Sequence, residues 1–485
     1  MKNIQLLIIA IIGVTALSSC QKYLTVSPKT QVVQTVLLST ETGYKDALTG
    51  VYIQMKSNNS YGQNLTMTTI EQLISSWDVT TNSTEQKLGL FNYTDANVDA
   101  LMTTIYSQQY TIIASVNAIL GQIDANKSAF TTPGLYELIK GECLAIRAYC
   151  HFDVLRIWGP IPSASGSAVI PPYVTVLSNQ PNSLTNYTQF QGQLLSDLTD
   201  AENLLKGVDP ILNYSLLNLS RPGSTATTFN PTDTYFAFRY LRMNYYAVKA
   251  LQARAYLWFN NTAKAYECSK VVISAINPDG SVKFRLGNTS DMTAKDFALT
   301  PEQVFGLYDF NLYTKYNNLF ANGTLKKGTA ATTITTQLYG NTGTDIREVN
   351  LWLLVTQPNQ AKTYICQKYN VPQTIASAQA DVNRIPMLRL SEMYFIAMET
   401  APLSEAQTLW AAYRTARNIP VTTLPSDPVL IQNTLLPEYR KEFYAEGQAF
   451  YAYKRLNSLT ASVLFVPTGS VINYLFPLPK TELVK

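Results

Sequence analysis

The chain has 485 residues, 46% of them hydrophobic and 14% charged, with a formal net charge of +4. So apolar a composition excludes a disordered chain, and so slight a basic excess excludes a nucleic-acid binder. Length alone suggests two or three domains around a large core. Tyrosine is unusually common, with 31 residues against 18 Phe and 5 Trp. Its flat ring with a polar tip suits recognition of sugars, peptides or proteins, and equally suits a helical core.

The first segment reads as a leader. Lys2 supplies a short positive region, Leu6 to Leu17 an apolar run, and Leu17-Ser18-Ser19-Cys20 a small-residue ending. The run is short for a bilayer and has the pattern of a secretory signal over residues 1–19. The LSSC ending is similar to a bacterial lipoprotein box, in which Cys20 is lipidated and becomes the mature N-terminus. No other stretch is long and apolar enough to cross a membrane. Cys143, Cys150, Cys268 and Cys366 form no C-x-x-C pair, which excludes zinc and thioredoxin-type sites. Cys143 and Cys150 lie seven residues apart on one predicted helix, about 10 Å along its axis and too far for a disulfide. All four read as small buried hydrophobes.

Helical periodicity runs from about Val33 to Lys56, through Tyr44, Leu48, Val51 and Tyr52. Ser57 to Asn97 is polar and loop-rich, and helical spacing returns over Leu101–Ile123. Leu135–Trp158 is apolar on almost every side, which predicts a helix at the centre of the body. Its charges, Glu142, Arg147, Asp153 and Arg156, therefore need partners, and Asp153 and Arg156 are spaced to meet on one face. Gly159 and Pro160 stop this helix, Pro162 stiffens its exit, and His151, the single histidine, reads as a core residue.

Residues 163–185 and Gly207–Asp233 read as surface loops, on either side of an amphipathic helix over Tyr187–Leu205. Tyr240–Asn277 predicts two helices broken at Asn260-Asn261-Thr262 and closed by Pro278-Asp279-Gly280. That is the size of one tetratricopeptide unit, with a simple helical hairpin as the alternative. Gly280 to Asn383 is a loop-rich insertion with strand-like Val304–Tyr308. A helix follows over Leu388–Glu399, and another from Ser404, where Ser404 and Gln407 have capping-box spacing. A last strong helix is predicted with Pro437 in its first turn, and the tail from Ser458 shows no periodicity.

Four stretches together resemble the SusD/RagB family of outer-membrane nutrient-binding lipoproteins. They are Cys20 with KYL and Pro28; the run Arg147, Tyr149, Phe152, Asp153, Arg156, Gly159 and Pro162; Pro386, Arg389, Glu392 and Glu399 followed by Arg417-Asn418; and Glu438, Arg440, Glu442, Glu446, Gly447, Lys454 and Arg455. Ala452 and Tyr439 depart from the family pattern at helix-packing positions. The resemblance implies a mostly all-α fold, a tetratricopeptide-like superhelix of helix pairs with a loop-rich, partly irregular portion and minor β hairpins. It divides the mature chain into 20–280 and 281–485. It also implies a lipid anchor at the outer membrane, facing outward. The implied function is capture of a glycan or peptide for a TonB-dependent transporter partner, by binding without catalysis.

Glu438, Glu442 and Glu446 fall at i, i+4 and i+8, on one face of a predicted helix with basic neighbours. Glycosidases instead flank a sugar with two carboxylates from opposite sides. Ion-paired architecture fits the three better, and Arg389 with Glu392 likewise reads as a structural pair. Ligand contacts are expected where exposed rings sit beside amides or carboxylates in loops: Trp77, Asp78 and Asn82, Tyr61 and Asn64, and Trp352. No cofactor or metal set is legible, and a structural Ca2+ is not readable from this sequence. The expected function is therefore nutrient binding and handover, with a glycan favoured over a peptide. A tetratricopeptide-type protein scaffold is the alternative, and a surface glycosidase the third possibility.

Overall fold

The computed structural model describes residues 34–483 except 167, 179, 226, 329, 358–361, 373 and 375–381. The leader, Cys20 and the KYL segment lie outside the described residues. The main helices are α1 (Glu41–Met55), α2 (Ala96–Ile123), α3 (Leu135–Trp158), α4 (Tyr187–Leu205), α5 (Tyr245–Trp258) and α6 (Thr262–Ile273). They continue as α7 (Leu390–Thr400), α8 (Leu403–Ala416), α9 (Pro428–Glu442) and α10 (Gln448–Arg455). Each of α1 to α8 packs on a neighbour in sequence, and α9 packs on α7. This is the stacking of helix pairs expected of a tetratricopeptide-like superhelix.

Side-chain caps set many of the helix starts. Thr40, Asp95, Asn186, Asn244, Asn261 and Asp427 each accept a hydrogen bond from a first-turn backbone N–H. The capping box expected at Ser404 does not form, because α8 starts one residue earlier with Pro402 at its N-cap. Pro437 does not open a helix either; α9 begins at Pro428 and carries Pro437 inside it.

Helix α3 is buried on all sides, as its composition requires. Gly141 lets it approach α4, since a Cβ there would lie 2.8 Å from Leu205 Cγ. Its charges find partners. Arg147 grips Asp197 with two bonds of 2.7 and 2.8 Å, Glu142 pairs with Arg239, and Asp153 pairs with Arg156. His151 is fully buried between Arg147 O and the Val174 N–H, and burial lowers its pKa to about 3. The bond from Val174 requires Nε2 to accept, so the ring is neutral with its proton on Nδ1. The loop at 163–185 is only partly a surface feature, because Tyr173 stacks on His151 at 3.9 Å.

Strands are few. β1 (Gln303–Tyr308) pairs antiparallel with β5 (Arg384–Arg389). β2 (Lys326–Lys327), β3 (Trp352–Thr356) and β4 (Lys362–Cys366) form a sheet in the order β2-β4-β3. Apolar burial is continuous from Leu38 to Phe476.

The acidic residues of α9 anchor a buried ion network, with partners other than the sequence suggests. Glu442 Oε1 accepts from Arg389 at 2.7 Å and Arg417 at 2.6 Å, and its Oε2 accepts from Arg417 at 2.9 Å and Arg347 at 3.1 Å. Glu438 takes Arg347 and Lys441, while Glu446 takes Lys368 and Arg389. The three glutamates do not share one helix: α9 ends at Glu442, and Glu446 lies in the turn before α10. Arg389 does not pair with Glu392, which is instead gripped by Arg254 through two bonds of 2.6 Å. Lys454 donates to Ile157 O and Gly159 O and so ties α10 to the end of α3.

Burial opposes the charge on Glu442, yet Arg417 and Arg389 outweigh it and hold this carboxyl well below its ordinary range. Glu438 is likewise held at about 2, with burial opposed by Arg347 and Lys441. A depressed native pKa stabilises the fold above the unfolded carboxylate value, and that contribution is lost as pH falls toward the native one. Urea unfolding should therefore show stability falling as pH drops below about 4.5, with a shallower fall in Glu438→Gln. Glu442→Ala should cost about 3–5 kcal/mol at neutral pH, because it strands buried arginines.

A cleft between the N-terminal loops and the inserted sheet

The polar stretch after α1 folds back across the body as turns and two short helices, Thr69–Gln72 and Thr84–Gly89. It faces the β2-β4-β3 sheet of the insertion, and between them opens a cleft of about 950 Å³. One wall offers Gln63, Asn64, Thr68, Gln72, Trp77 and Asp78; the other offers Leu319, Lys326, Gln357, Lys362 and Thr363.

Asp78 holds the walls together. Its N–H donates to Lys326 O at 2.9 Å, and its carboxylate accepts from Lys327 Nζ at 2.8 Å and from the Gly328 N–H. The Asp78 side chain is 43% exposed, so oxygen lone pairs remain open to solvent. Lys327 is buried, and that burial lowers its pKa despite the opposing pull of Asp78. Gln72 Oε1 is buried on the cleft wall and accepts no hydrogen bond among the described residues.

The first wall hangs on the turn between α9 and α10. Trp77 sits edge-on to Tyr444 at 5.2 Å and to Phe320 at 5.6 Å, and its Nε1 donates to Met67 O at 2.8 Å. The Tyr444 hydroxyl donates to Ser76 O. The Gly447 N–H donates to Glu71 Oε1 at 2.8 Å, with Gly447 at φ +75°. A Cβ at Gly447 would lie 2.4 Å from Leu65 O, so only glycine brings the two segments this close.

Of the residues singled out in the sequence, Asn64, Trp77 and Asp78 line the cleft and the other three do not. Trp77 is 2% exposed and presents no open face. Trp352 is also buried, edge-on to Tyr444 at 4.8 Å, with Nε1 donating to Tyr339 Oη. Tyr61 points into the core, where its hydroxyl bonds Gln109 and its ring meets Tyr149. Asn82 is exposed at φ +63°, and its N–H donates to Gln86. Gln63, Gln72, Gln357 and the lysines of the cleft carried no signal in the sequence, because its two walls lie more than two hundred residues apart along the chain.

What these parts define is a helical-repeat protein with one broad, polar, solvent-open cleft built from loops and a small sheet. The sequence pattern described as SusD-like, starch-binding and associating with the outer membrane, matches residues 22–257. Over residues 22–257 the chain therefore carries the pattern of the SusD-like family, in line with the resemblance read from its motifs. A curated relative, SusD-like protein P25 of Formosa agariphila, is 24% identical over 168 residues. That alignment spans 33% of this chain and 31% of the relative. A SusD superfamily protein of Bacteroides thetaiotaomicron superposes with a TM-score of 0.67 at 18% identity, covering 92% of this chain and 97% of the other. A SusD-like carbohydrate binding protein of Bacteroides vulgatus gives 0.63 at 16% identity, covering 87% and 84%. A laminarin binding SusD-like protein gives 0.61 at 15% identity, covering 92% and 97%. These likenesses establish the shared fold, a helical repeat with small sheets.

Trp77 acts on the cleft through packing. Trp77→Ala should destabilise the protein by about 3–5 kcal/mol, the usual range for emptying a buried tryptophan site. Chemical denaturation checks this, and a change below about 0.5 kcal/mol, typical of surface sites, would contradict the pillar role.

Proposed function

We propose that the protein captures a glycan in this cleft, at the outer face of the outer membrane, and passes it unaltered to a TonB-dependent transporter. The cleft itself is the observation that carries this reading. Its volume suits several sugar rings, and amides, hydroxyls and charged groups line it together with Leu88, Leu319 and Leu325. Sugars need that mixture, with donors and acceptors for their hydroxyls and apolar surface for their C–H faces. The SusD-like pattern and the laminarin-binding and carbohydrate-binding neighbours support the same ligand class. Among the described residues no helix is long and apolar enough to cross a membrane. Attachment through lipidated Cys20 accounts for membrane association without one.

A screen of neutral oligosaccharides by calorimetry tests the binding. A hit should lose about tenfold in affinity in Gln63→Ala or Lys362→Ala, the scale of one or two hydrogen bonds. Failure of every neutral glycan to bind, or indifference of the affinity to both changes, would refute the cleft as the site. Cys20→Ala should abolish palmitate labelling and release the protein from membranes. A labelled, membrane-bound variant would refute the anchor.

A further inference from the structure

A second cavity of about 290 Å³ opens between α1, the turn at 234–242 and the end of β1. Tyr52, Ile53, Tyr235, Phe238 and Tyr308 give it apolar and aromatic walls. Phe238 is 37% exposed and Ile53 57%, so this apolar surface is open to solvent. Lys56 and Arg242 are the charged side chains among the described residues lining it, and no carboxylate joins them.

Arg242 is the unusual member. Its guanidinium lies 4.0 Å from the centre of the Tyr235 ring and 5.4 Å from that of Tyr52. Its Nη1 is buried and, among the described residues, donates no hydrogen bond; it forms an ion pair with Glu142 Oε2 at 3.7 Å. Glu142 is already engaged: Tyr52 donates to Oε2 at 2.6 Å, and Arg239 holds Oε1. The Tyr235 hydroxyl is also buried, with Arg242 as its polar neighbour. An arginine short of hydrogen bonds, in a cavity that a lysine and several aromatic rings also line, asks for an anionic ligand carrying a flat ring. Thr49 and Thr234 on the lining ask that the ring bear hydroxyls too.

We propose that this cavity binds the carboxylate-bearing ring of an acidic oligosaccharide, a uronate residue, at a second site apart from the cleft. Arg242 and Lys56 receive the carboxylate, while Phe238 and Tyr308 lie against the C–H faces. Its size, near the lower end of the usual range of roughly 300–1,000 Å³ for ligand pockets, suits one or two sugar rings. The assignment rests on the carbohydrate function proposed above.

Calorimetry of the purified protein with trigalacturonate, its methyl ester and benzoate tests it. The acid should bind about tenfold more tightly than the ester, the scale of one charge-assisted bond. Arg242→Gln should erase that preference, with the melting temperature recorded alongside. Lys56→Gln, at a partly exposed position, should reduce it even if the arginine variant fails to fold. Phe238→Ser should weaken acid and ester alike. Equal affinity for acid and ester, a preference that survives Lys56→Gln, or benzoate competing as well as trigalacturonate would overturn the proposal. Intact cleft binding of neutral glycans with no acid preference sinks this site alone. Failure of all saccharides sinks the carbohydrate reading with it.

Discussion

The carboxylate of Glu442 lies in the interior with three arginines converging on it, and the architecture depends on that convergence. Five cations, Arg347, Lys368, Arg389, Arg417 and Lys441, meet five carboxylates, Glu302, Asp345, Glu438, Glu442 and Glu446. The group is neutral as a whole, which is what makes burial of most of it tolerable. Its members come from the start of β1, the insertion, the end of β5, the end of α8, the last turns of α9 and the turn after it. Aligning all the partners at once fixes the register of these segments, whatever net stability the pairs contribute.

The consequence reaches the cleft through a few residues of backbone. Glu446 is held by Lys368 and Arg389, and beside it Tyr444 and Gly447 carry the first cleft wall through Trp77, Ser76 and Glu71. The shape of the cleft is therefore set from the rigid interior, while its lining comes from loops. A binding protein benefits from this division, because a preformed wall loses little conformational freedom when a ligand arrives.

Two surfaces of different electrostatic character result. The cleft mixes Asp78 and Glu85 with Lys326 and Lys362 and is rich in amides and hydroxyls. The smaller cavity holds Lys56 and Arg242 among aromatic rings. On the readings proposed above, the first takes neutral, hydroxyl-rich chains and the second an acidic ring.

The sequence by itself determined most of the helices, though not the start of α9 or the break between α9 and α10. Local caps and period-3.6 apolar spacing act within a few residues, so Leu135–Trp158 and Tyr187–Leu205 are legible to the residue. The all-round apolar face of α3 told its central place, and the four family motifs told the fold. Only the tertiary structure decided the partners. Arg389 skips nearby Glu392 for Glu302, Glu442 and Glu446, because strand β5 ends before α7 begins and turns the two side chains apart. Trp77 and Trp352, ring-in-loop candidates in the sequence, both close on Tyr444, since large apolar surface is buried wherever the fold offers a partner. The cleft and the Arg242 cavity draw lining from segments far apart in the chain, and spacing along a sequence carries no record of such meetings.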